Sequence, residues 1–455
     1  MDKIGLVLGG GGAKGSYEIG VWTALRDLEL ESQITGVSGT SIGALNMALF
    51  AQRDLDAAQK LWMSLTTKDI VQIKPEILWK AALVAIAAAS GNQSAITRVG
   101  MMVSQDFSKM DWGSIGGYFT KKRVEDIKWQ ASGGILSRES IQKILDAHVN
   151  PDRMLASGCT LFACCYDIQK RQAEYFSLNN REILTKMIPS LQGLVPEPKQ
   201  ILLASAALPS LFDAVSLNGK KYYDGGLADN LPIFPLYQAG WRKIIAVNLT
   251  PQEAVDESLF PDARLCVIAP DKSLAEKGIW GTMSFDRNMT FQRIQAGYMD
   301  AFRLLNDFPI VYEDNPYSRK ESMKAANVED AIHLNNGLDV KVHPNITVQT
   351  VGKSRYLIVE LSIRMWGGPI DGDACMVLPN SCFLAFPNGY RSYINLNLSG
   401  GRLFKFPLTV TKGQWTSGKI ALRLLRDARE FLLVIKDDCE HEQSGTDYYF
   451  SLTVS

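Results

Sequence analysis

The chain opens with an apolar run that ends in four consecutive glycines, IGLVLGGGG at residues 4–12, and passes at once into helical periodicity. Few folds are open to such a start. The apolar run reads as a buried strand. In SYEIGVWTALRDLEL, residues Ile19, Trp22, Leu25 and Leu28 recur at helical spacing. The glycine loop between them brings unpaired N–H groups to the positive end of a helix, which is an anion site. The unit then repeats: QITGVSG reads as a second strand and SIGALNMALFAQ begins a second helix. Strand and helix alternating in short units predict a mainly parallel sheet covered by helices, an α/β fold. CTLFACCYDI, QAEYFSL and KIIAVNL read as further strands.

Three readings of the loop can be weighed. Gly10-x-Gly12-x-x-Gly15 satisfies the dinucleotide spacing, after a strand and before a helix. That reading needs a carboxylate at the end of the next strand to hold a ribose. The next strand ends in Val37-Ser38-Gly39, and Glu31 precedes it. A phosphate loop of the Gly-Lys-Ser/Thr kind is excluded, because Lys14 lies between Ala13 and Gly15. The third reading is an oxyanion hole, formed by glycine amides at the same sheet edge as a nucleophile. Each such donor is worth roughly 3 kcal/mol of transition-state stabilisation.

A nucleophile stands where the ribose carboxylate is missing. Gly39-Thr40-Ser41-Ile42-Gly43 is a G-x-S-x-G between a strand and a helix. The pattern suits a sharp turn that holds the serine in a strained conformation, with glycines allowing close approach on both sides. A Ser/Gly turn that only caps a helix uses the same residues. A serine hydroxyl also needs a base. The histidines are His148, His333, His343 and His441, and none lies in a motif. Each reads as a surface or structurally satisfied side chain, which points to a carboxylate base. The strongest candidate is Asp224, which follows the short strand KKYY and precedes Gly225 and Gly226. By itself Asp-Gly-Gly reads first as an ordinary turn.

GGGAKG, GTSIG and DGG, in that order, resemble the patatin-like phospholipase family. So do their contexts ASAALPSLF, LNGKKYYDGG and DNLPI. The resemblance covers roughly residues 3 to 305. It implies a three-layer α/β/α core with Ser41 as nucleophile and Asp224 as base, and no catalytic histidine. Gly11 and Gly12 would supply oxyanion amides, and Gly10 would shape the loop of that hole. Lys14 falls at the family's basic position, where it either neutralises nearby charge or makes a structural ion pair. Gly39, Gly43, Gly225 and Gly226 support the two turns. No cofactor and no metal are implied.

Around residue 340 the texture changes to short runs, several alternating, with Gly, Pro and Asn between them: NITVQTV, RYLIVELSIRM, SYINLNL, GRLFKFPLTV, KIALRLL and EFLLVIK. These predict a C-terminal all-β, sandwich-like domain at 341–455. The expected layout is an acyl hydrolase domain at 1–310, a linker at 311–340 and that β-domain. Residues from about 70 to 135 read as an insertion, with residues 77–90 and Trp112 as a lid or interfacial surface, or as buried core.

Net charge is zero over 455 residues, which removes any global electrostatic case for a nucleic-acid partner. The seven cysteines show no metal-ligand spacing, which favours reduced thiols. With no signal segment or membrane span read in the sequence, the expectation is a cytoplasmic protein, in peripheral contact with membrane at most.

The reading that joins these features is a serine lipid acyl hydrolase of phospholipase A type, whose partner is a membrane lipid or other lipid ester. Two alternatives stay open: a Ser-His-Asp esterase using His333 or His343, and a non-catalytic lipid-binding or scaffold protein. A dinucleotide enzyme would instead bind nucleotide.

Overall fold

The structure, a computed structural model, describes residues 3–72, 136–179, 196–209, 211–250, 254–270, 284–306, 320–367, 373–398, 402–425, 428–437 and 446–454. It also describes residues 74, 134, 274 and 316. Most of the insertion expected at 70–135, with residues 77–90 and Trp112, lies outside the described residues. The chain divides into two compact units, one of residues 1–26 and 30–301, the other of residues 27–29 and 302–455.

The first unit is built on one sheet. Its strands are β1 (Ile4–Leu8), β2 (Ile34–Thr40), β3 (Thr160–Asp167), β4 (Gln172–Ser177), β5 (Val215–Leu217), β6 (Lys220–Asp224), β7 (Lys243–Val247) and β8 (Arg264–Ile268). Strands β8, β7, β1, β2 and β3 lie side by side in parallel, and β4, β5 and β6 join antiparallel. The described helices are α1 (Ser16–Asp27), α2 (Ile42–Ala51), α3 (Leu55–Ser64), α4 (Thr67–Ile70), α5 (Glu139–His148), α6 (Pro151–Leu155), α7 (Pro198–Ser205), α8 (Phe234–Gln238) and α9 (Arg287–Leu305).

Strand β2 shows how helices come to cover both faces of the sheet. Successive side chains of a strand point to opposite sides. Gly36 faces Leu236 of α8 and Trp241, and the Ser38 hydroxyl donates to the Pro232 carbonyl on that same side. Gly39 faces the first turn of α2 on the other. The result is the expected three-layer α/β/α core. Strands β1, β3 and β7 are buried nearly throughout, as central strands covered on both faces must be.

The second unit is strand-rich, as the alternation of its sequence predicts. Its strands are β9 (Lys324–Ala325), β10 (Ala331–His333), β11 (Leu338–Val342), β12 (Thr347–Val351), β13 (Ser354–Met365), β14 (Ala374–Val377), β15 (Cys382–Ala385), β16 (Arg391–Tyr393), β17 (Leu408–Thr411), β18 (Thr416–Leu424), β19 (Glu430–Ile435) and β20 (Tyr448–Thr453). One sheet runs β10-β11-β13-β12 with β18 on the far edge of β13, and the other runs β16-β15-β19-β20-β9. Val359, Leu361 and Ile363 of one sheet share a core with Leu384 and Leu433 of the other. Two sheets, antiparallel except where β9 joins β20 in parallel, packed over one core make a sandwich.

Candidate active site

Strand β3 is the ruler on which the site is built. One of its edges is taken by β4 over residues 162–167. The other is shared. Strand β2 runs parallel along it until Thr40 faces Cys164. Strand β6 runs the opposite way along it until Asp224 faces Cys165. Two strands therefore approach head-on along one edge and end beside adjacent residues. Ser41 follows one end and Asp224 is the other. Residues 183 positions apart in sequence are thereby brought to neighbouring strand ends, because neighbours along a strand are only about 3.3 Å apart.

Ser41 sits at the elbow. It is the N-cap of α2, with φ 56° and ψ −125°, a conformation that costs a non-glycine residue of order 1–3 kcal/mol. Two features hold it there. Its N–H donates to the Ser205 hydroxyl at 3.0 Å, and that hydroxyl donates to the Cys164 carbonyl at 2.6 Å. Helix α2 also lies hard against β1: a Cβ on Gly43 would stand 2.2 Å from the Leu8 carbonyl oxygen. Only glycine permits that approach. Ser41 is 6% exposed, and the positive end of the α2 dipole lies at its side chain.

Asp224 is fully buried. Its Oδ1 accepts the Gly226 N–H at 2.9 Å, and its own N–H donates to the Ala207 carbonyl. Gly225 is needed behind it, because a Cβ there would lie 2.3 Å from the Cys164 oxygen. The Asp-Gly-Gly is thus a turn, as its sequence first suggests, but one that pins a carboxylate at the end of a central strand. Burial pushes the Cys164 and Cys165 thiols well above their usual range, with Asp229 and Asp224 respectively adding to it. Neither is a thiolate nucleophile.

The glycine loop lies on the other side of Ser41. Leu8 faces Gly39 in the β1–β2 register, so Gly10 comes level with Ser41. A Cβ on Gly10 would be 3.3 Å from the Ser41 Cβ and 2.3 Å from the Asn230 Oδ1. The Gly10 N–H is engaged with the Asn230 carbonyl at 3.0 Å, so Gly10 shapes the loop and offers no donor. Among the described residues, no protein acceptor takes the N–H of Gly11 or Gly12, the two amides that lead into the short 3-10 turn Gly12–Gly15.

Lys14 belongs to that 3-10 turn. It is buried, and its ammonium donates to the Leu249 carbonyl at 3.1 Å, tying the loop to the end of β7. Arg293 of α9 holds the same loop from outside by donating to the Ala13 carbonyl at 3.0 Å.

Behind the loop is a network for which the sequence carries no motif. Asn46 of α2 donates to the Gly15 carbonyl and to Glu18, and it accepts from the Trp62 indole at 2.9 Å. Glu18 is buried, and desolvation holds its carboxyl well above the ordinary carboxylate range. Hydrogen bonds from Asn46 and the Gly9 amide pull it down by less. Ser205 is equally unmarked. It belongs to the ASAALPSLF stretch, but its role appears only once α7 packs on β3.

An apolar slot opens at Ser41 and follows one face of α2 past Ile42, Leu45 and Leu49. Leu61, Trp62, Ile141, Leu145, Phe212 and Phe285 form its other walls. The half-buried apolar side chains of α2 are these three, which face the slot. His148 also lines it, but at the far end. The His148 carbonyl accepts from the side chain of Gln52, the C-cap of α2, at the opposite end of that helix from Ser41. His333 and His343 lie in the second unit. His333 pairs with Asp339 and stacks on Trp366, and His343 pairs with Ser362. Among the described residues no group of three or more His, Cys, Asp or Glu side chains is placed to hold a metal, and no helix is long and apolar enough to cross a membrane.

The model of the patatin-like phospholipase family matches residues 6–237, about half of the chain. A lysophospholipase of Aspergillus terreus, nte1, is 55% identical over 54 residues, 12% of this chain and 3% of that protein. A patatin-like phospholipase domain-containing protein of Caenorhabditis elegans, ZK370.4, is 53% identical over 51 residues, 11% of this chain and 4% of its own. The chain thus spans only a small part of the length of these curated relatives. Among solved structures, VipD of Legionella pneumophila is similar at a TM-score of 0.30 and 12% identity, over 67% of this chain and 66% of that one. ExoU in its complex with SpcU of Pseudomonas aeruginosa is similar at 0.26 and 14%, over 67% and 51%. At such scores these two likenesses carry no weight here. The family match does, because it spans the glycine loop, the serine elbow and the Asp-Gly-Gly turn together: the chain belongs to the patatin-like phospholipase family.

Proposed function

We propose that the chain is a serine lipid acyl hydrolase of phospholipase A type. One observation carries the reading: Ser41 follows the last residue of β2 and Asp224 ends β6, two strands that approach head-on along one edge of β3, and an apolar slot opens at that serine. An acyl chain lies in the slot and brings its ester carbonyl to Ser41. The Asp224 carboxylate takes the hydroxyl proton as Oγ bonds to the carbonyl carbon. Charge moves to the carbonyl oxygen, where the Gly11 and Gly12 amides and the α2 dipole receive it. The tetrahedral intermediate collapses, the C–O bond to the alcohol breaks, and Asp224 returns its proton to the leaving oxygen. Water, deprotonated by Asp224, then attacks the acyl-serine ester, and the same sequence releases a fatty acid.

Each feature serves this chemistry. The strained elbow fixes the hydroxyl before substrate arrives, so little ordering is left for the reaction itself. A buried carboxylate with one oxygen tied to Gly226 is pre-aimed. The slot is lined by apolar side chains except for Asn46, His148 and the site itself, which suits a hydrocarbon chain.

The test is hydrolysis of a short-chain nitrophenyl ester and of phospholipid vesicles, with fluorophosphonate labelling in parallel. The expected result is turnover by the wild type, labelling at Ser41, and loss of both in Ser41→Ala. Turnover that survives Ser41→Ala would overturn the assignment.

A further inference from the structure

The slot that begins at Ser41 has a thin far wall. Leu49, His148 and Val149 line it, and the same three residues line a second cavity behind them. The two spaces differ in kind. The slot is narrow, at about 80 Å³, and apolar. The second is about 520 Å³ and carries Asp54, Asp146, Arg153 and Lys199. Those charges form ion pairs across it, Lys199 with Asp146 at 3.0 Å and Arg153 with Asp54 at 3.5 Å.

We propose that Leu49, backed by Val149 and His148, is the stop that sets acyl-chain length in this enzyme. This rests on the hydrolase reading given above. Leu49 lies two helical turns from Ser41 along α2, a depth of about 12 Å, the length of roughly ten extended carbons, which the 80 Å³ slot admits once its side chains part. A longer chain has to bend back or push through the wall among ion-paired groups, where its methylenes gain no apolar burial. The stop is built from opposed elements: Leu49 comes from the last turn of α2, and His148 and Val149 from the C-terminal end of α5. The Gln52 side chain ties the two ends together by donating to the His148 carbonyl at 3.1 Å and accepting the Asn150 N–H at 3.0 Å.

Two substitutions at one position move the stop in opposite directions. Leu49→Ala opens the slot into the second cavity, and Leu49→Phe shortens it. The full chain and both variants, each also carrying Ser41→Ala, are titrated with saturated fatty acids from hexanoate to octadecanoate by displacement of a fluorescent fatty acid. In parallel, nitrophenyl esters of the same lengths are assayed for hydrolysis with Ser41 intact. The ratio of dodecanoyl to hexanoyl preference is expected to rise roughly tenfold in Leu49→Ala and to fall by a similar factor in Leu49→Phe, in both readouts. A length profile that is the same in all three proteins, or no fatty-acid binding by any of them, overturns the stop. A binding profile that shifts while hydrolysis ignores Ser41→Ala leaves the stop standing and overturns the hydrolase reading instead.

Discussion

Asp224 and Thr40 face adjacent residues on the same edge of β3, Cys165 and Cys164, although their strands run in opposite directions. That register brings Asp224 and Ser41, the residue after Thr40, to neighbouring strand ends. The proposed dyad therefore depends on backbone pairing more than on side-chain reach, and its parts can be tested singly.

The first prediction concerns the two proposed reacting groups. Ser41→Ala and Asp224→Asn each lower ester hydrolysis by roughly a thousandfold or more, since residues that act as one unit fail together. The double variant is hardly worse than either single one. Circular dichroism should stay native for both, and kcat for each single and double variant is the measurement.

Ser205 holds the elbow without touching substrate. Ser205→Ala leaves the buried Ser41 N–H without its acceptor and costs about 1–3 kcal/mol. With the elbow loosened, kcat falls while KM for a short ester changes little. Urea denaturation and steady-state kinetics on the same preparation separate the two effects.

Gly43 tests the approach of α2 to β1. A Cβ 2.2 Å from the Leu8 carbonyl cannot be accommodated by a side-chain rotation, because the obstacle is backbone. Gly43→Ala therefore destabilises by about 3 kcal/mol or more. A thermal melt within a degree or two of the wild type would contradict the geometry.

Glu18 predicts a pH dependence of stability. Its carboxyl is held above the ordinary value of 4.5 by burial, so the folded state keeps a proton that the unfolded chain releases. The neutral form is favoured in the fold, and its contribution is complete below about pH 4.5. That contribution is lost as pH rises from there through the folded value. Glu18→Gln keeps an acceptor for Asn46 and removes the titration. Its melting temperature should exceed that of the wild type at neutral pH, and the gap should close toward acid pH.

Much of this was legible in residue order. Apolar runs and alternation mark the strands of both units and 3.6-residue periods the helices of the first, because burial of one face or both imposes those patterns wherever the element ends up. The glycine loop and the serine elbow are each local: a strand, a turn and a helix within about twenty residues, with glycines required by close approach. Their chemistry can be read without knowing the rest of the fold. Asp224 was harder, since an Asp-Gly-Gly turn looks the same wherever it occurs, and only its company with the other two motifs singled it out.

What sequence alone determined is therefore the fold class, the family and the serine elbow proposed to carry the nucleophile. Tertiary structure decided the rest. It sent the Lys14 ammonium to a backbone carbonyl and the Gly10 amide to Asn230, and it gave Ser205 the task of holding the Ser41 backbone. It also laid Ile42, Leu45 and Leu49 along a slot that ends at His148, a side chain unmarked by any motif. The physical reason is the same in each case. A hydrogen bond or a cavity wall between residues far apart in sequence depends on strand register and helix packing, which bring together side chains whose spacing along the chain carries no signal.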